Sequence, residues 1–347
     1  MKVTTFFVNT TTLCNLDCKR CYLKEETRLD KSLLSPATLK KFLDSSYANG
    51  RVGEVIWIGG EVTTVPSEHL FALSDVVNEC QPQLTQGVVS NLLGTTKGHL
   101  EFYKSRCCGH VDSTFALGAK VTKSGSTDKY LQVFSETANK ITEFGLTLSI
   151  NVELNPETYS LGPRAMVDYM KKIPAACWEF DHSIDFETYI KIENLSAKQV
   201  PNVKPSISYE MFWSYMQELY NSYEEIKACG HVVGFFDKEI RNSSNFFSAD
   251  KTDAFWTLNV NGTVTTNPLY SDFEGAMCGH VDDPDSIANS EFRLLHIKND
   301  IERQRSCYSC EHRGRCSGGT SSLPVEDGSG ACNGGRKFRS YLDSRQM

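Results

Sequence analysis

Cys14, Cys18 and Cys21 stand as C-x3-C-x2-C in the stretch TTTLCNLDCKRCYLK, directly behind a short apolar run. Chance placement of 13 cysteines among 347 residues would give this spacing roughly 0.02 times per chain. Three thiolates on one loop can bind zinc, but structural zinc takes a fourth protein ligand, and the first histidine is His69. A [4Fe–4S] cluster has the same appetite for thiolate, ~4 in the usual case. If the protein supplies only three, one iron stays open to an exchangeable ligand, an arrangement suited to chemistry. A second clump, CYSCEHRGRC, sets Cys307, Cys310 and Cys316 at C-x2-C-x5-C, with Cys332 further on. Those four suit a structural zinc site or a second iron–sulfur cluster equally. His312 could join a zinc site, although a solvent-facing side chain beside Arg313 is the plainer reading. The remaining cysteines, Cys80, Cys107, Cys108, Cys177, Cys229 and Cys278, are scattered, and an odd total argues against a disulfide framework.

The elements that must hold these residues alternate. Apolar runs predict strands at residues 3–9, 54–60, 87–93, 112–118 and 146–154, with a sixth around 178–186. Between them lie helical patterns: SPATLKKFLDSS behind a Ser-Pro start, SEHLFALSDVVNEC with Ser67 as N-cap, TDKYLQVFSETANKITEFG, and RAMVDYMKKIPAAC ended by Pro174. Strand–helix alternation implies right-handed crossovers and a parallel sheet, with chemistry at the carboxyl ends of the strands. Six units suit an α/β fold of the partial (β/α)6 barrel type, or a doubly wound sheet. The second half reads differently: one long aromatic-rich helix over 208–230, a hairpin over 255–268 with a type I′ turn at Asn261-Gly262, and a helix over 290–305 running into the second clump. The expected division is a barrel over 1–205, a helical linker region over 206–254 and a small cysteine-bearing extension over 255–347.

Bulk composition narrows the class. The charge of −7 and pI near 5.7 argue against a nucleic-acid surface, and no run approaches ~18 apolar residues, so no spanning helix is expected. The N-terminus lacks a signal-peptide pattern, which predicts a cytoplasmic protein.

With the cysteine loop behind the first strand and EVIWIGGEVT ending the second, the sequence resembles the radical S-adenosylmethionine enzymes. The resemblance implies that Cys14, Cys18 and Cys21 hold a [4Fe–4S] cluster whose open iron is chelated by S-adenosylmethionine. Reductive cleavage would then release a 5′-deoxyadenosyl radical that abstracts a substrate hydrogen. It also implies that Gly59, Gly60 and Glu61 form the motif whose carboxylate receives the amino group of the cofactor, an ammonium–carboxylate pairing. Ser90 and Asn91 fall where relatives carry a cofactor-touching turn. The family's aromatic residue before the third cysteine is Arg20 here. Tyr22 is the candidate replacement, or Arg20 could stack its guanidinium on the adenine. Val62 stands in place of the usual proline.

The second clump is similar to the C-terminal SPASM extension of the same family. That implies an auxiliary [4Fe–4S] cluster on Cys307, Cys310, Cys316 and Cys332. Thr320 and Asn267 stand where the full form has further cysteines, so a reduced, one-cluster extension is expected, with Cys278 as a conceivable replacement ligand. The relatives imply a ribosomally made peptide as substrate, cross-linked, epimerised or oxidised, or else a sugar or aminocyclitol. They also imply an electron donor such as flavodoxin or ferredoxin. Because the first strand begins at residue 3, a separate leader-peptide-binding protein is expected. Glu179, Asp181, His182, Asp185 and Glu187 could offer a polar catalytic group, although solvation is the plainer fate of most. A non-catalytic zinc protein or an iron–sulfur electron carrier would leave Gly59-Gly60-Glu61 and the strand–helix array unexplained.

Overall fold

The computed structural model describes residues 4–45, 47–185, 203–242, 254–316, 318–320 and 323–345. Residue 3 of the first expected strand, residue 186 of the sixth, Glu187 and most of the expected 196–206 connection lie outside these. The strands are β1 (Thr4–Asn9), β2 (Gly53–Ile58), β3 (Thr85–Ser90), β4 (His110–Phe115), β5 (Thr147–Leu154), β6 (Cys177–His182), β7 (Val232–Val233), β8 (Phe255–Leu258), β9 (Thr263–Thr265) and β10 (Gly279–His280). The helices are α1 (Pro36–Asp44), α2 (Ser67–Cys80), α3 (Lys97–Arg106), α4 (Thr127–Glu143), α5 (Pro156–Met170), α6 (Tyr209–Tyr220), α7 (Tyr223–Ala228), α8 (Lys238–Asn242), α9 (Pro284–Ala288), α10 (Glu291–Arg303) and α11 (Arg336–Arg345).

One sheet runs β10-β9-β8-β1-β2-β3-β4-β5-β6-β7 and does not close. From β8 through β7 every neighbouring pair is parallel; only β8–β9 and β9–β10 are antiparallel. This is the partial barrel expected from the alternation, with helices α1 to α5 outside. The expected hairpin adds its first strand to β1 through Thr5↔Phe255 and Val8↔Leu258, so the C-terminal third extends the barrel's own sheet.

Side-chain alternation divides the sheet's two faces. Phe6, Val8, Val55, Trp57, Val88, Val111, Phe115, Val152 and Trp178 pack outward against the helices in one continuous core. On the inner face, Phe7, Ile56, Ile58 and Phe255, with Val89 against them, form a small apolar plug beneath β8, β1, β2 and β3. The inner positions of β4 to β6 alternate with that outer core and are polar: His110, Asp112, Thr114, Asn151, Glu153, Glu179 and Asp181. The lumen is therefore apolar on one side and acidic on the other.

Several local expectations need correction. Ser67 is the first helical residue, with Pro66 before it. Helix α3 was unmarked in the sequence because its apolar face is weak; it is set by a capping box in which His99 plays the part usual for Glu. The fifth helix starts earlier, capped by Asn155 with Pro156 in its first turn, and breaks at Gly162, where φ is 76°. The long 208–230 helix splits at Asn221–Ser222. The hairpin turn spans Asn259 to Gly262, with only Gly262 at positive φ (85°), so it is not the expected type I′ turn.

Aromatic side chains join the C-terminal elements to the barrel edge. Trp213 of α6 has ring centroids 4.8 Å from Phe235 and 5.8 Å from Phe338 of α11. His182 sits on the outer face of β6, its ring 3.8 Å from that of Phe212, with Nε2 3.2 Å from Asn333 O. Among the described residues no helix is long and apolar enough to cross a membrane. Burial lowers His182 from 6.5 to about 4. The unfolded chain therefore takes up this proton below about pH 6.5, while the folded chain resists until about pH 4. Stability should fall as pH drops through that window, by at most about 3 kcal/mol from this residue. Urea unfolding of the metal-free chain from pH 7 to pH 4 checks this, and His182→Phe should flatten the slope.

Candidate active site and metal centres

The cysteine loop leaves the carboxyl end of β1 and is held by the end of β2. Gly60 N donates to Thr11 O and Glu61 N to Leu13 O, both at 2.9 Å. A Cβ on Gly59 would lie 2.3 Å from Thr11 O, and one on Gly60 would lie 2.1 Å from Thr12 O. The atoms these two glycines approach are the backbone of the cysteine loop. No larger residue fits without moving that loop.

Glu61 is 3% exposed and lies at the centre of a hydrogen-bond network. Oε1 accepts from Ser90 Oγ at 2.7 Å and from Thr63 N at 2.9 Å, and Oε2 accepts from Asn91 N at 2.7 Å. Asn91 Nδ2 donates to Asn15 Oδ1 at 2.8 Å, and Asn15 Nδ2 to Leu93 O at 2.7 Å. Glu61, Ser90 and Asn91 are thus brought together with the cysteine loop, through Asn15. At the bend beyond them Leu92 has φ 70°, an unusual backbone for a branched side chain.

The three thiols share one partly buried cradle and feel one another. Burial pushes Cys14 and Cys18 up to about 11 and raises Cys21 as well. Lys120, itself buried with Nζ 2.6 Å from Thr114 O, pulls all three back down. The loop is pinned at both ends. Cys14 N donates to Arg28 O at 3.1 Å, and Arg28 reaches Asp17 at 2.8 Å. From the C-terminal part, Asp272 accepts from Lys24 N at 2.6 Å and Thr27 Oγ1 at 2.9 Å. Tyr22 is half-buried; burial first, then Cys21, Cys14 and Asp272, hold its phenol far above its usual range. Arg20 is paired with Glu157 of α5 at 2.8 Å.

The acidic lumen lies behind this loop. Asn151 Nδ2 donates to Asp181 Oδ2 at 2.6 Å, and Ser183 Oγ to Glu153 Oε1 at 2.6 Å. Burial, then the neighbouring Asp181, raises Glu179 to about 7. Glu179 therefore faces inward and is partly buried where solvation was the plainer expectation, Asp181 shares its face but stays exposed as expected, and His182 turns outward.

The second cysteine group is held by α10, α11 and the loop between them. Cys307, Cys310, Cys316 and Cys332 ring one small cavity. Glycines make room there: a Cβ on Gly334 would sit 2.4 Å from Cys316 Sγ, and one on Gly318 would sit 3.3 Å from Cys307 Sγ. Arg303 fastens the loop through Gly318 O at 3.1 Å and Leu323 O at 3.0 Å. His312 is buried, with Nε2 2.9 Å from Ser340 Oγ, which corrects the expectation of a solvent-facing side chain. Cys278 lies apart, buried beside Ser290.

Among the described residues no three His, Cys, Asp or Glu side chains converge on one point as ligands of a single ion do. The donor sets do fit iron–sulfur clusters. They are all-thiol and cradled by residues that leave space, and the burial of Cys14, Cys18 and Cys21 means that those thiols need a cationic partner before they ionise.

No sequence-family model and no curated protein matches the chain. Solved structures do match. The structure of anSMEcpe with bound AdoMet superposes with a TM-score of 0.73 over 99% of this chain and 93% of its own, at 14% identity. Native anSMEcpe with AdoMet and the Kp18Cys peptide gives 0.73 over 99% and 96%, also at 14%. SuiB of Streptococcus suis bound to S-adenosylmethionine gives 0.58 over 94% and 76%, at 13%. The chain shares the fold of these S-adenosylmethionine-bound structures, a partial barrel with a C-terminal extension.

Sequence reasoning missed Asn15, Thr63, Lys120 and Asp272. Asn15 was legible in principle, as a polar residue inside the cysteine motif; Asp272 was not, since nothing local links it to Lys24. Replacing Glu61 by Ala strands the Ser90 hydroxyl and two backbone N–H groups in a buried site. The variant should lose about 1–3 kcal/mol in chemical denaturation, and Glu61→Gln should lose less.

Proposed function

We propose that this chain is a radical S-adenosylmethionine enzyme that modifies a ribosomally made peptide. In this reading Cys14, Cys18 and Cys21 hold a [4Fe–4S] cluster and Cys307, Cys310, Cys316 and Cys332 an auxiliary one. Gly59, Gly60, Glu61, Ser90, Asn91 and Tyr22 form the cofactor's surroundings. The observation that carries it is the union of the two motifs: the Gly59-Gly60-Glu61 backbone lies directly on the cysteine loop, at the carboxyl ends of β1 and β2. Bound there, cluster and S-adenosylmethionine would supply a 5′-deoxyadenosyl radical for hydrogen-atom abstraction.

The protein's own residues have definable tasks. The Glu61 carboxylate, oriented by Ser90 and the Asn91 N–H, is placed to take an ammonium group. Lys120 offsets negative charge gathered on the three sulfurs. The apolar plug keeps water from one side of the lumen, and Glu179, with its pKa near 7, can accept a proton on the other. A peptide substrate is supported by the likeness to structures that hold peptides, anSMEcpe with Kp18Cys and SuiB with the precursor peptide SuiA. A flavodoxin or ferredoxin would supply electrons in a reducing cytoplasm.

Anaerobic reconstitution tests this. About eight irons and eight sulfides per chain are expected, with 5′-deoxyadenosine formed under dithionite. A Cys14/Cys18/Cys21→Ala variant should keep about four irons and make no 5′-deoxyadenosine. Stoichiometric zinc in a colourless protein refutes the proposal. Consumption of a sugar with no peptide present refutes the peptide assignment alone.

A further inference from the structure

The stretch that follows β4 pairs with the cysteine loop. Asp17 N donates to Val121 O and Lys19 N to Ala119 O, both at 2.9 Å, and Leu16 forms an antiparallel bridge with Thr122. Cys18 stands between the two donors and Lys120 between the two acceptors. The register of this short ladder therefore sets the middle thiol opposite the lysine. Lys120 is 8% exposed, and its Nζ donates to Thr114 O at 2.6 Å and to Thr114 Oγ1. Both acceptors are neutral, so they leave its charge standing. Arg28, the other cation at the loop, is instead paired with the Asp17 carboxylate at 2.8 Å. The Lys120 ammonium is the strongest charge acting on Cys18, and it acts on Cys14 and Cys21 as well. It also acts on the Glu153 carboxylate of β5, which bears on Cys18 with the opposite sign. One buried ammonium thus counters negative charge on the loop and on the inner sheet face.

We propose that Lys120 sets the reduction potential of the cluster on Cys14, Cys18 and Cys21, by holding an uncancelled positive charge opposite the middle thiolate. The inference rests on the cluster reading above. The step concerned is a one-electron transfer: the reductant, dithionite in the test below, gives up one electron and the cluster gains one unit of negative charge. No covalent bond of the protein forms or breaks. A fixed cation in a buried setting favours the more negative, reduced state, and net charge and surroundings are what tune such potentials. Without the ammonium, Glu153 acts on the loop unopposed and the same reductant reaches a smaller reduced fraction.

A potentiometric titration with dithionite on the anaerobically reconstituted full chain, without S-adenosylmethionine, reads this. It follows the part of the reduced EPR signal that the Cys14/Cys18/Cys21→Ala variant lacks. Lys120→Met should cut the reduced-to-oxidised ratio at a fixed potential about tenfold, a fall of about 59 mV in the midpoint for one electron. Lys120→Gln, which keeps a donor for Thr114 but no charge, should match it, so that lost packing alone does not produce the result. Lys120→Arg keeps the charge and should move less than half as far. Lys123→Met, exposed on the same stretch, should change nothing, since solvent screens that charge. Equal shifts from Lys120→Met and Lys120→Arg, or no shift from Lys120→Gln, would overturn the proposal. So would an unchanged midpoint with weakened binding of S-adenosylmethionine, since the ammonium would then serve the cofactor's carboxylate. A parent chain that takes up zinc and gives no signal sinks the proposed function and this inference together; a normal parent signal with unmoved variants sinks the inference alone.

Discussion

The contact of the β2 glycine pair with the backbone of the cysteine loop governs the rest of the site. Two N–H···O bonds, Gly60 to Thr11 and Glu61 to Leu13, extend the β1–β2 ladder past the strand ends and into the loop. The separation they impose leaves no space for a Cβ on either glycine. The loop's position then fixes Asn15, and Asn15 meets Asn91, whose backbone N–H reaches back to Glu61. One short stretch of shared backbone therefore sets thiols and carboxylate relative to each other.

Charge is arranged around that frame. Buried thiols resist ionisation, and the two cations in their environment, Lys120 and Arg28, are each committed to oxygen acceptors on neighbouring segments. Across the lumen the sign reverses, with Asp112, Glu153, Glu179 and Asp181 on successive strands. The result is an inner sheet face graded from apolar plug to carboxylates, with the cysteine loop at one end.

The parallel sheet and both cysteine groups were legible because they depend on local signals. Short apolar runs mark strands buried on both faces, and each cysteine group has three members within ten residues. What escaped depends on distance or on weak pattern. The pairing of β8 with β1 joins residues about 250 apart, and no periodicity in FWTL announces its partner. Helix α3 has too little apolar contrast to stand out. His312 looked solvated beside two arginines, yet Ser340 of α11 covers it. Glu179 was read as surface because alternation in β6 fixes which residues share a face but not how far that face is covered.

The Asp272 carboxylate has a consequence for biosynthesis. It clamps Lys24 N and Thr27 Oγ1, and β8 just ahead of it completes the flank of β1. A nascent chain therefore exposes its first three thiols long before the residues that brace their loop have left the ribosome. Until residue 272 arrives the loop lacks that outer clamp.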